Sequence, residues 1–168
     1  MNTKKHIFTE QEAYLKLSAL CASAEYCEYD LHRKARNWEI VTNEKVADVS
    51  SPENRLLGVI SRLREERFID DERYARAFVR DKFRYNHWGR VRIIQELRIR
   101  KIDSSIIADA IEEIPEDDNL DTLRRLIETK RKSVKGKSDY DVRCKLIRFA
   151  LGRGFGMDDI IRVLGDAD

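Results

Sequence analysis

Apolar residues recur at three- and four-residue spacing along most of the chain, the signature of helices that bury one face. Thr9 with Glu12 fits a capping box, and Ala13, Tyr14, Leu17, Leu20, Cys21 and Ala24 then trace a first stripe. Leu31, Ala35 and Trp38 predict a second helix over 28–38. Ser51 before Pro52 is a cap followed by proline at the first helical position, leading into Leu56, Leu57, Ile60 and Leu63. Asp70 and Asp71 open a fourth helix on Tyr74, Ala75, Phe78, Val79 and Phe83; Gly89 breaks the pattern, and Val91, Ile93, Ile94 and Leu97 carry a fifth. Asp103 caps a sixth, whose stripe of Ile106, Ile107, Ala110, Ile111 and Ile114 is closed by Pro115. A seventh is predicted over 120–132 on Leu123, Leu126 and Ile127. Ser138 with Asp141 caps an eighth on Val142, Leu146, Phe149 and Ala150, and a turn over 152–156 leads to a ninth over 157–164.

Residues 39–50 contain Ile40, Val41, Thr42, Val46 and Val49, but no other stretch reads as a strand to pair with them. A lone strand leaves its backbone groups unpaired, so a connecting loop is expected there. The pattern therefore predicts an all-α chain. Tyr29-Asp30-Leu31 with Lys34-Ala35 resembles Tyr140-Asp141-Val142 with Lys145-Leu146, and Ile93 with Leu97 aligns on Val142 with Leu146 at a shift of 49. Three tandem three-helix repeats follow, over 9–67, 70–115 and 117–165. Each is too small to bury much core alone, so the repeats are expected to stack into an elongated, curved array.

Charge alters this picture locally more than globally. Charged residues are 38% of the chain, well above the usual quarter, yet 33 basic against 31 acidic residues leave a net charge of only +2. Between Glu72 and Ile102, however, Arg73, Arg76, Arg80, Lys82, Arg84, Arg90, Arg92, Arg98, Arg100 and Lys101 face only Glu72, Asp81 and Glu96. A second basic group comprises Lys130, Arg131, Lys132, Lys135, Lys137, Arg143, Lys145 and Arg148. Such runs ordinarily form solvated faces, and arginine stems also cover apolar surface. With Trp88 among them and few acids nearby, they point to a polyanion or an acidic protein surface as partner.

Other chemistry is not supported. Cys21, Cys27 and Cys144 form no C-x-x-C, and His6, His32 and His87 lack partners at ligand spacing. The Asp70-Asp71, Asp117-Asp118 and Asp158-Asp159 pairs fall at helix starts, where backbone electrostatics account for them. Gly152-Arg153-Gly154-Phe155-Gly156 has neither a preceding strand nor a following Lys-Ser/Thr, which makes it a helix exit rather than a phosphate loop. No catalytic group, metal or cofactor is expected. No signal-peptide core opens the sequence and nowhere do 18 apolar residues run together, so a cytoplasmic protein is expected.

The stretch from Asp70 to Ile102 resembles the central repeat of the RecX family of RecA regulators. Asp70, Asp71, Arg73, Tyr74, Ala75, Phe78, Val79 and Arg80 match a pattern D-D-x-R-Y-A-x-x-F-V-R, and Gly89, Arg92, Ile93, Glu96, Leu97 and Ile102 match G-P-x-R-I-x-x-E-L-x-x-K-G-I. Lys145-Leu146 and Gly154-Phe155 are similar to further pairs of that family. Arg90 departs from its proline, and Arg100-Lys101 from its Lys-Gly. The resemblance implies a non-enzymatic, monomeric regulator that binds RecA filaments on single-stranded DNA and inhibits ATP hydrolysis, strand exchange and filament growth, with at most weak duplex binding. The contacts expected are Arg90, Arg92, Arg98, Arg100 and Lys101, then Arg76, Arg80, Lys82 and Arg84, with Lys130, Arg131, Lys132, Arg143, Lys145 and Arg148 on the second cluster. The competing class is a stand-alone DNA-binding module, because two helices joined at Gly89 outline a helix-turn-helix.

Overall fold

Five of the helix starts among the described residues are set by short-range side-chain hydrogen bonds. In the computed structural model, which describes residues 6–41 and 51–165, Thr9 Oγ1 accepts from the Glu12 amide at 3.2 Å while Glu12 Oε2 accepts from the Thr9 amide at 2.8 Å. This capping box opens α1 (Glu10–Ser23). Ser51 caps α3 (Pro52–Glu65) through the Asn54 amide, and Asp70 accepts from the Arg73 amide at 2.9 Å as α4 (Asp71–Arg84) begins. Asp103 caps α6 (Ser104–Ile111), and Ser138 caps α8 (Asp139–Arg153). The remaining helices are α2 (Glu28–Ala35), α5 (Arg90–Ile99), α7 (Glu116–Arg131) and α9 (Met157–Leu164). The three Asp pairs lie at the starts of α4, α7 and α9.

Two expectations are corrected. The second helix stops at Ala35, and Trp38 belongs instead to a strand, β2 (Trp38–Val41), which pairs in parallel with β1 (His6–Thr9) in the register His6 to Trp38 through Thr9 to Val41. The part of the supposed loop that can be described is thus a strand with a partner, while 42–50 lies outside the described residues. Parallel strands need a long crossover, here supplied by α1 and α2, so the pairing is non-local. Four residues just before a helix cap give no periodic signal of their own.

The chain divides into two units, Met1–Tyr74 and Ala75–Asp168. In the first, Ala13, Leu17, Leu31, Ala35, Ile40, Leu56, Ile60, Leu63 and Ile69 form the core. The Tyr74 hydroxyl donates to Asp30 at 2.6 Å, and Arg73 pairs with Glu25 at 2.6 Å, with Asp70 farther away at 4.0 Å. Burial, with that hydrogen bond to Asp30, pushes the Tyr74 phenol well above its ordinary value, so it stays a donor across the physiological range.

In the second unit Ala75, Val79, Ile93, Leu97, Ile102, Ile107, Ala110 and Ile114 are buried, and Leu123, Ile127, Leu146, Ala150, Phe155 and Ile160 form a core among α7, α8 and α9. α5 and α8 end alike. Lys101 and Gly154 take left-handed conformations (φ 60° and 88°), and the next residues, Ile102 and Phe155, are buried and donate back to Leu97 and Ala150, both at 3.2 Å. These turns align Lys101 with Gly154, a shift of 53 rather than 49. The slip is four residues, about one helical turn, which leaves a stripe of apolar positions on the same face.

The two helices meet end to end. The Gly89 amide donates to the Arg153 carbonyl at 2.9 Å and the Val91 amide to the Gly154 carbonyl at 3.0 Å, so orphan donors at the start of α5 satisfy orphan acceptors at the end of α8. A Cβ on Gly89 would lie 2.3 Å from the Gly154 oxygen, and one on Gly154 would lie 2.1 Å from the Arg92 Cβ. Gly89→Ala and Gly154→Ala are each expected to lower stability by about 2–3 kcal/mol in urea unfolding. Gly58→Ala, inside α3 with nothing within 4 Å, should raise it by about 0.5–1 kcal/mol. Lys101→Gly should also raise it, by roughly 0.5–1 kcal/mol, because glycine removes the cost of a side chain at φ 60°.

Candidate functional site

Three aromatic residues of the second unit each have a cation four positions later: Phe78 with Lys82, Trp88 with Arg92, and Phe149 with Arg153. Within α4 and α8 one helical turn brings such a pair together, while Trp88 precedes α5 and meets Arg92 in its first turn. Lys82 Nζ stands 5.2 Å from the Phe78 ring centroid and 5.4 Å from that of Trp88, which also carries the Arg92 guanidinium at 4.0 Å. Arg100 covers Phe78 at 4.9 Å. Arg92 Nη1 donates to the Gly152 carbonyl at 3.2 Å, next in sequence to Arg153, which stacks on Phe149 at 5.6 Å while Lys130 approaches the same ring at 5.5 Å. The result is two runs of contacts, Arg100, Phe78, Lys82, Trp88 and Arg92 on α4 and α5, and Arg153, Phe149 and Lys130 on α8 and α7, linked where Arg92 holds the Gly152 carbonyl. Arg100 is committed to Glu96, but a cation resting on a ring face can otherwise keep N–H donors for an anion.

Arg153 and Phe149 were not among the residues singled out for function in the sequence; their shared signal with Phe78–Lys82 and Trp88–Arg92 is the four-residue spacing. Of the predicted contacts, several are committed to holding the fold. Arg90 donates to the Ile114 carbonyl at the exit of α6. At the position where a proline would merely have started α5, this side chain closes the end of another helix. Arg100 donates to the carbonyl of Glu96 at 2.8 Å and to its carboxylate at 2.7 Å, and its side chain is only 12% exposed. Arg143 binds the Leu164 and Gly165 carbonyls at 3.3 and 2.6 Å, satisfying the end of α9. Lys145 pairs with Asp141 at 2.9 Å and donates to the Lys135 carbonyl at 2.8 Å. Arg76 pairs with Glu113 at 2.8 Å, and Arg80 lies 3.6 Å from Asp81. By contrast Arg84, Arg98, Lys101, Arg131, Lys132 and Arg148 are exposed, with no hydrogen bond or ion pair to their side chains among the described residues. Within that set, Arg98 and Lys101 flank Arg100, and Arg131 and Lys132 follow Lys130.

Asp141 helps to arrange the second cluster. Its carboxylate is held below the ordinary value of 3.8, first by the Lys145 hydrogen bond and then by the Lys137 amide. No group of three or more potential metal ligands occurs among the described residues, and no helix there is long and apolar enough to cross a membrane.

Comparison with known proteins places this geometry in a family. Residues 70–111 match the family model of the second three-helix domain of RecX, and residues 116–164 that of the third. The regulatory protein RecX of Bacillus cytotoxicus is 29% identical over 150 residues, covering 89% of this chain and 52% of that protein. That of Finegoldia magna is 32% identical over 109 residues, covering 64% of this chain and 53% of that protein. The chain thus spans about half the length of the curated relatives it matches. Among solved structures, a crystal structure of regulatory protein RecX aligns with a TM-score of 0.75 at 19% identity over 94% of this chain and 73% of the other. A second, from Lactobacillus salivarius, aligns with a TM-score of 0.67 at 20% identity over 92% and 94%. At these identities the two structures speak to the fold.

The division of the cations is open to measurement. Arg92→Ala should lower stability by about 1–3 kcal/mol, because it strips the Gly152 carbonyl of its partner and uncovers Trp88, whereas Arg98→Ala should stay within about 0.5 kcal/mol of the parent. Since the Asp141 carboxyl is depressed in the folded state, its contribution is present above the unfolded value and is lost as pH falls through the folded one. A carboxyl-carbon NMR titration should find its midpoint below 3.8, with the Lys145 contact released at lower pH, and Asp141→Asn should remove that step from the acid limb of thermal stability.

Proposed function

The chain belongs to the RecX family of regulatory proteins, and on that premise we propose that it is a non-enzymatic regulator of RecA filaments on single-stranded DNA, acting in the cytoplasm as a monomer. Binding restrains ATP hydrolysis, strand exchange and filament growth. The observation that carries this reading is the set of four cations, Lys82, Arg92, Arg153 and Lys130, seated on three rings, continued by Arg98, Lys101, Arg131 and Lys132, which are exposed and without a side-chain partner among the described residues. A filament offers the same acidic surface and phosphate at every step, and a surface of alternating cations and rings meets a repeating anion without reading sequence. The exposed cations supply attraction at a distance, and those seated on rings supply fixed donors at contact.

A stand-alone helix-turn-helix reader of duplex DNA is the weaker alternative. Such a reader inserts the start of its second helix in the major groove. Here the start of α5 is already engaged, with the Gly89 and Val91 amides donating to carbonyls at the end of α8.

RecA-dependent ATP hydrolysis on single-stranded DNA tests the proposal. The parent protein should slow hydrolysis at near-stoichiometric levels. A variant with Arg98, Lys101, Arg131 and Lys132 all changed to Glu should need about tenfold more protein or greater for the same effect. A parent protein without effect on hydrolysis would sink the RecA reading; an equally potent variant would move the contact surface elsewhere.

A further inference from the structure

Beside Phe149 the surface is concave. A cleft of about 520 Å³ opens between α7, α8 and the turn that precedes α5, lined by Arg125, Lys130, Arg153, Leu126, Thr129 and Phe149, with further hydroxyl groups and His87 and no carboxylate. That volume falls in the range of roughly 300–1,000 Å³ that receives a small-molecule-sized group. Arg125 is exposed and has no side-chain partner among the described residues, while Arg153 is anchored by donating to the Asn86 carbonyl at 3.3 Å.

We infer that this cleft is a binding site for one nucleotide unit of a single-stranded nucleic acid. Three kinds of group converge on it, and a nucleotide needs all three. Arg125, Arg153 and Lys130 present positive donors for a phosphate. Phe149 and Leu126 supply apolar surface for a base. Thr129 and its neighbouring hydroxyls accept or donate to sugar and base edges with little preference among bases. A carboxylate side chain of a protein partner would meet the arginines but leave the apolar wall and most of the volume unfilled. A paired base in a duplex is held in its stack and does not enter such a cleft, so the site selects unpaired strands. The inference does not depend on RecA and is tested without it.

The test is fluorescence anisotropy of the protein alone with an end-labelled oligothymidylate of about 20 nucleotides in about 0.1 M salt. The parent protein should bind it. Arg125→Glu, which removes the unpaired donor, and Thr129→Trp, which fills the cleft from an exposed position, should each weaken binding about tenfold or more. Lys34→Glu, the same charge change at an exposed position in the first unit, should alter it less than about twofold. Circular dichroism melts of all three variants verify that they fold. Competition by free thymidine monophosphate separates the sources: displacement at millimolar levels assigns the cleft to a soluble nucleotide, and no displacement assigns it to the strand, the site standing in both cases. Binding weaker than roughly 100 µM, the lower limit of ordinary non-specific association, overturns the inference. So does equal loss in Lys34→Glu, or a poly-glutamate peptide that binds as tightly as the oligonucleotide and is lost in the same variants.

Discussion

The second unit depends on how closely two backbones approach at Gly89 and Gly154. No side chain fits between them, and the hydrogen bonds they exchange join the start of one helix to the end of another. Each three-helix domain has few buried residues, so neither has a core to spare. A junction made of backbone atoms fixes distance and angle together, in a way that contacts between flexible side chains do not. Much of the neighbouring chemistry takes its position from it. Arg92 can reach the Gly152 carbonyl and lie on Trp88 only because the end of α8 sits against the first turn of α5, and Arg153 reaches Asn86 across the same seam.

This constraint also separates cations that hold the fold from those available to a partner. Arg90 and Arg143 donate to carbonyls at helix ends, and Arg100 is tied to the carbonyl and carboxylate of Glu96. They resemble a binding surface in composition but perform internal work. The rings impose a different division: a guanidinium or ammonium resting on an aromatic face is kept in place yet retains donors facing outward. Among the described residues Arg84, Arg98, Lys101, Arg131, Lys132 and Arg148 have neither restraint. A surface built this way can attract a polyanion with its mobile charges and register it with its fixed ones.

What the sequence reveals follows the range of the interactions. Caps at Thr9, Ser51, Asp70, Asp103 and Ser138 are local and were legible, as were the apolar stripes. The pairing of His6–Thr9 with Trp38–Val41 is parallel and spans two helices, and its short strands carry no pattern that distinguishes them from a cap and a loop. The repeat register slipped by a helical turn because periodicity cannot see which turn is which; the left-handed residues Lys101 and Gly154 could. Lys101 takes this conformation without being glycine, and Ile102 packs into the core directly after it. For the site, the basic clusters were visible but their employment was not, because whether an arginine meets a carbonyl, a ring or water is decided by tertiary neighbours. The aromatic-to-cation spacing of four was present in the sequence, and it marks the residues that the structure joins.

Native-state hydrogen exchange at the Gly89 and Val91 amides tests most directly whether the two domains fold as one body through this seam. If they do, both amides exchange only with global unfolding, at the same free energy as the Leu97 and Leu146 amides in the cores on either side. Exchange of Gly89 and Val91 at the rate of exposed loop amides, with Leu97 and Leu146 still protected, would show two domains that fold separately and touch only in passing, and would contradict the account.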